Sequence, residues 1–155
     1  MATPRLRVTT GLAVWLLVAC GGYPSEDIVP PNPFDIGNAE RLQALDALGA
    51  KAYHPERRRF AMDSDCTLRI TRSGGPQRPE RFAHVLAPGM HVGISSNKAL
   101  GVFEVHLLTD SGRDPQRLGL LLRSSTWTHA AKAELLLQLL IRDCRLPAPP
   151  EAGAA

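Results

Sequence analysis

The 155-residue sequence contains no apolar run long enough to cross a bilayer as a helix, which takes about 20 residues. Its longest candidate, the twelve residues Val8–Ala19, falls short, and the next, Leu135–Ile141, is interrupted by Gln138. No stretch repeats another, and the length admits one ordinary domain, not two. Charge of one sign does not predominate, since 18 Lys and Arg face 15 Asp and Glu. Cysteine is scarce, with three in the chain. The five histidines (His54, His84, His91, His106 and His129) include no H-x-x-x-H or H-x-H pair, so their spacing specifies no metal site. Proline is plentiful, and its clusters at Pro24–Pro33 and Pro147–Pro150 mark the ends of the chain and not its core.

The N-terminus reads as an address. Met1–Arg7, MATPRLR, carries Arg5 and Arg7 and no acid, and the apolar run Val8–Ala19 follows. Charged then apolar is the plan of a secretory signal. Its end, Leu17-Val18-Ala19-Cys20, resembles the lipobox of bacterial lipoproteins: an aliphatic residue, two small or aliphatic residues, then cysteine. The resemblance covers about the first 20 residues. It implies cleavage before Cys20, a diacylglyceryl group on the sulfur and an acyl chain such as palmitate on the new amino group. One acyl chain holds a protein only marginally, whereas two or three make a stable anchor. The membrane is then a partner through these N-terminal chains, and the location is the bacterial cell envelope, facing the periplasm. Gly21, where an aspartate would favour retention at the inner membrane, points to the outer membrane. Removal of Arg5 and Arg7 leaves 16 basic and 15 acidic side chains, so the mature charge gives no reason to expect nucleic acid as a partner.

Four regions follow. Residues 1–19 read as the signal peptide, and 20–33 as the lipidated cysteine with a proline-rich tether. Within the tether, Gly22–Pro33 has four prolines in twelve residues, which rules out helix and central strand and predicts an extended spacer. Residues 34–145 read as the globular domain and 146–155 as a disordered tail. In the domain, NAERLQALDALG predicts a helix capped by Asn38, with Leu42, Leu45 and Leu48 as its apolar stripe and Gly49 as its stop. Period-two patterns predict strands at Arg59–Asp63, Cys66–Arg72, Arg81–Ala87, Val102–Leu108 and Arg117–Arg123. Ser73–Pro76 reads as a turn, and TDSGRDPQ as the link of a hairpin. In the last two strands, Phe103, Val105 and Leu107 share one face against Glu104 and His106, and Leu118, Leu120 and Leu122 share another. A long helix over Ser125–Cys144, starting at Ser125 or Thr126, gathers Ala130, Ala133, Leu137, Leu140, Ile141 and Cys144 on one face. The order helix, antiparallel strands, helix predicts a small two-layer α+β domain with both helices packed on one face of the sheet.

Cys66 falls on the buried side of its strand pattern and Cys144 on the buried stripe of the last helix. With Cys20 lipidated and the chain exported to an oxidising compartment, a Cys66–Cys144 disulfide is the one pairing left. Two separate buried thiols are the alternative.

No convincing catalytic set emerges. Ser95-Ser96-Asn97-Lys98 matches the S-x-x-K nucleophile pattern of penicillin-binding proteins and class A β-lactamases. The body is far too small for that fold, no Ser-Asp-Asn or Lys-Thr-Gly follows, and the segment reads as a Gly/Ser-rich loop. His84, His91 and His106 lie on neighbouring strand-like segments, and Asp63 and Asp65 sit two apart in what reads as a turn, MDSD. No cofactor or metal site is expected, and the sequence names no catalytic residue. Two surfaces remain. Leu135 and Leu139 fall opposite the core stripe of the last helix beside Arg142 and Lys132, a second apolar side that is either sandwiched or docks a partner. Glu26–Asp46 holds five acids and one base, and Lys51–Arg81 eight bases and four acids. Within the second stretch, Arg57, Arg58, Arg59, Arg69 and Arg72 could form a basic face for an anionic ligand. The expected function is a non-enzymatic, lipid-anchored module that binds another envelope protein or supports an assembly. The alternatives are a small envelope hydrolase or metal-binding protein, and a binder of anionic envelope ligand through the arginines.

Overall fold

In a computed structural model the described residues are 32–74, 78–110 and 114–145. The signal run, Cys20, the tether up to residue 31 and the tail from residue 146 lie outside them, as do the centres of the two turns placed at Ser73–Pro76 and Thr109–Gln116. The element order is α1 (Asn38–Lys51), β1 (Arg57–Met62), β2 (Thr67–Ser73), β3 (Glu80–Val85), β4 (Met90–Asn97), β5 (Val102–Thr109), β6 (Gln116–Ser124) and α2 (Trp127–Arg145). This is a small α+β domain, all antiparallel, with a helix at each end. The strands divide into two three-stranded sheets, β1-β2-β3 and β4-β5-β6. The break falls at Pro88-Gly89, where Gly89 takes φ +83° and the Met90 N–H donates to the Ala87 carbonyl at 3.2 Å. That turn is tight, and β4 leaves it paired with β5 and not with β3. Helix α1 packs on β1, while α2 packs on α1 and on β4, β5 and β6.

One core joins both sheets and both helices. Leu45, Phe60, Leu68, Ile70, Val105, Leu107, Leu122, Ala130, Ala133, Leu137, Leu140 and Ile141 belong to it. The face expected of the long helix is therefore the buried one, and Leu136 extends it. Thr126 caps α2, its Oγ1 accepting from the His129 N–H at 3.4 Å.

Helix α1 differs from expectation at both ends. Gly37, not Asn38, precedes the first turn, and its N–H donates to the Glu40 carboxylate at 3.1 Å. The Asn38 side chain instead accepts from Arg41 at 2.7 Å. Gly49 does not stop the helix, which runs on to Lys51. It is there because α1 lies hard against β1: a Cβ at position 49 would overlap the carbonyl oxygen of Arg58 and stand 3.2 Å from the Phe60 ring. Helix propensity alone makes Gly49→Ala stabilising by about 1 kcal/mol. Backbone overlap reverses the sign, and a loss of about 1–3 kcal/mol is expected from overpacking. A denaturant midpoint at or above that of the wild type would contradict it.

Arg41 is buried, at 2% exposure, where the chain enters α1. Its Nε donates to the Pro33 carbonyl at 3.1 Å, a terminal nitrogen donates to the Phe34 carbonyl at 3.5 Å, and the guanidinium pairs with Asp143 near the end of α2.

Two departures concern β4 and β6. Ser95–Asn97, read from the sequence as part of a loop, belongs to β4, where Gly93 leaves room for the Leu108 side chain across the pair; a Cβ there would meet Leu108 Cδ1 at 2.8 Å. In β6 the expected alternation of Leu118, Leu120 and Leu122 fails. Val105 pairs with Leu122 and His106 with Leu120, then Leu107 pairs with Gly119 and Leu108 with Arg117. Leu121 and Leu118 are thus extra residues in bulges, which shift the side-chain pattern. Leu121 and Leu122 are both buried, and Leu118 is exposed.

Candidate functional site

Strand alternation decides the geometry of the arginines. On β1, Arg58 points inward with Phe60 and Met62, while Arg57, Arg59 and Ala61 point out. Register carries this across the sheet: Arg59 opposes Thr71, which opposes Arg81, and Ala61 opposes Arg69, which opposes Ala83. The outer face of β1–β3 therefore presents Arg57, Arg59, Arg69 and Arg81, all exposed, around a shallow open trough of about 330 Å³ lined by Ala61, Arg69, Thr71, Arg81 and Ala83. Arg69 is engaged there by Asp63, with Nε donating at 2.6 Å, and this contact holds its guanidinium above its usual value. Among the described residues no carboxylate pairs with Arg57, Arg59 or Arg81.

The five arginines picked from the sequence thus separate. Arg57, Arg59 and Arg69 share the outer face, and Arg58 and Arg72 do not. Arg72 pairs with Glu80 at 2.6 Å and lies over the Phe82 ring at 5.9 Å. Arg58, 2% exposed, pairs with Glu56 at 2.6 Å and donates to the Leu120 carbonyl of β6 at 2.5 Å. Arg81 was missing from the set, although alternation in RFAHV together with the β2–β3 register puts it there.

The apolar docking surface on α2 is not formed. Leu139 is 4% exposed and Leu135 is half-buried, so of the two only Leu135 is partly accessible and they do not form a joint apolar surface. Leu135 lines a groove with His91, Val92, Glu134 and Gln138, whose side chain accepts from the Val92 N–H at 3.0 Å. Arg142 is exposed and engaged by Asp143 at 2.9 Å.

The histidines do not converge. His84 packs against Gly119, where a Cβ would stand 2.7 Å from its ring. His91 meets Asp110 at 3.2 Å, and among the described residues no three metal-ligating side chains come together. Asp63 and Asp65 sit in the β1–β2 turn, with Asp65 accepting from the Thr67 N–H at 3.1 Å and Asp63 from Arg69. That turn ends at Cys66 (φ +62°), which the structure holds at disulfide distance from Cys144, Cα atoms 5.8 Å apart.

A polar chain absent from the sequence reading crosses the sheets. Glu104, 8% exposed, accepts from Arg123 at 3.0 Å and Asn97 at 3.2 Å, and Arg123 reaches Glu56, the partner of Arg58, at 3.4 Å. His106 Nε2 lies 3.1 Å from the Ser95 hydroxyl and 3.4 Å from Glu104. Serine, histidine and carboxylate are the parts of a nucleophilic relay, but both partners here use the same ring nitrogen. A relay needs the serine and the acid on opposite nitrogens, so that one takes the proton while the other fixes the tautomer. Lys98 does not complete the S-x-x-K pattern either: it is exposed in the turn beyond the end of β4.

Burial pushes the His84 and His106 rings below their ordinary value, and the charge of Arg117 pushes His106 further down. Burial raises the Glu104 carboxyl, but the bonds from Arg123 and Asn97 outweigh it and hold the group low. All three shifts act in one direction: the unfolded chain takes up protons first. Their contribution is complete above about pH 6.5 and is lost on acidification, the histidines first and Glu104 below them, each with a slope of at most about 1.4 kcal/mol per pH unit. Glu134, raised by burial, opposes this. The melting temperature should therefore fall between pH 7 and pH 5, and less steeply in His84→Asn/His106→Asn. A flat profile in the wild type would contradict the assignment.

No protein-family model matches the chain, and neither a curated protein nor a solved structure resembles it at a significant level.

Proposed function

We propose that the protein is a lipid-anchored envelope lipoprotein, attached through Cys20 and facing the periplasm, that works without catalysis as a binding module for an anionic partner. The observation that carries the reading is the outer face of β1–β3, where Arg57, Arg59 and Arg81 stand exposed on one sheet with no carboxylate pairing with them among the described residues. Exposed cations that fold stability does not use, gathered on one face, create a local positive potential even in a nearly neutral chain.

The test uses the mature chain from residue 20 with Cys20→Ser, so that no acyl chain contributes, and inorganic polyphosphate as a soluble polyanion. Binding should weaken as salt rises. It should fall by between about threefold and about a hundredfold in Arg57→Gln/Arg59→Gln/Arg81→Gln, at 0.2–1 kcal/mol per exposed contact. Equal binding by the triple variant would overturn the face as the site. In cells, Cys20→Ser should leave the precursor unprocessed or release the protein from the membrane fraction. Normal processing with unchanged membrane recovery would overturn the anchor.

A further inference from the structure

We infer that the outer face of β1–β3 lies on the anionic phospholipid surface of the membrane from which the chain is hung. The inference rests on the binding-face reading above and names its partner. Three features argue for a lipid surface. The first is reach: Cys20 and Phe34 are fourteen residues apart, so even a fully extended tether keeps the domain within about 50 Å of the lipid, and the face meets headgroups at high effective concentration.

The second feature is shape. The cations sit on a three-stranded sheet, with Arg59 and Arg81 on its two outer strands about 10 Å apart and Arg57 two residues along from Arg59. Side chains on one face of a short sheet can meet a planar surface together, whereas the trough between them is shallow and open and encloses no small anion. The third is composition. Val85, 61% exposed, shares this face with Ala61 and Ala83, so apolar side chains accompany the cations, as at surfaces that lie in a headgroup layer. The acyl anchor already retains the protein. What the arginines add is orientation: the β1–β3 sheet turned toward the lipid, and the β4–β6 sheet with α2 turned away from that contact.

The experiment is sedimentation of the mature Cys20→Ser chain with vesicles of phosphatidylcholine alone or with 30 mol % phosphatidylglycerol (a composition set by the experiment). Binding is expected only to the anionic vesicles and should vanish at high salt. Arg57→Gln/Arg59→Gln/Arg81→Gln should lose on the order of a hundredfold in affinity, about fivefold per arginine near an anionic surface. Its melting temperature should match that of the parent chain, since the three side chains are exposed and pair with no carboxylate among the described residues; should the triple variant lose its fold, the single variant Arg81→Gln serves instead and is expected to lose about fivefold. Polyphosphate binding without vesicle binding overturns the lipid surface and leaves the binding face standing. Loss of both overturns both. Vesicle binding that the substitutions do not change overturns this face as the contact.

Discussion

Replacing Arg58 with methionine is expected to cost about 3–5 kcal/mol of stability, the usual loss when one partner of a buried ion pair is removed. The side chain is 2% exposed, and its charge is stabilised by Glu56 and by the Leu120 carbonyl. Burial alone pulls the guanidinium below its ordinary value, and Glu56 opposes that. Without Arg58, Glu56 keeps, among the described residues, the longer contact to Arg123 at 3.4 Å, and the Leu120 carbonyl loses a donor. Lysine should rescue poorly, because a single ammonium cannot reproduce the two directions in which the planar fork donates. Glu56→Gln combined with Arg58→Met should recover part of the loss, since no buried charge is then left unpaired. Chemical denaturation of the four chains measures this cycle. A cost below about 1 kcal/mol for Arg58→Met alone would show that the pair is replaceable.

The second large effect concerns Cys66 and Cys144. They stand 78 residues apart in sequence with Cα atoms 5.8 Å apart. A bond between them closes a loop worth about 4.5 kcal/mol in the chain-entropy treatment, with about 2–4 kcal/mol the common measured range. Reduction, or Cys66→Ala/Cys144→Ala, should lower stability by that amount. Reductant should have no effect on the double variant. Two free thiols in the purified native protein, counted by mass after alkylation, would contradict the bond.

Both residues show where sequence pattern succeeds and fails. Cys144 was placed by the period of α2, whose buried stripe is broad and regular. Both helices and five of the six strands follow from such periods. β4 escaped because glycine and serine weaken a strand pattern, while the reason for Gly93 is the distant Leu108. Alternation on β6 was misleading because two bulges, which depend on the partner strand, reset its phase. Gly49 reads as a helix stop until β1 is laid beside it. In the candidate site, RRR says nothing about which arginine turns inward; only a known strand phase separates Arg58 from Arg57 and Arg59. Glu104 and His106 read as the solvent side of a strand, and only the surrounding Arg123, Asn97 and Ser95 explain why they are buried. Leu139 shows the same limit: a second apolar side on a helix does not say whether the fold already covers it.

Arg41 has a consequence in mechanics. Under the anchorage proposed at Cys20, tension would enter the domain just before α1. Arg41 grips that point, holding the carbonyls of Pro33 and Phe34 while its guanidinium is bound to Asp143 near the end of α2. A pull on the leading segment is thus shared with the final helix and does not fall on the first turn of α1 alone. The side chain acts as a strain relief, like the clamp where a cable enters its housing.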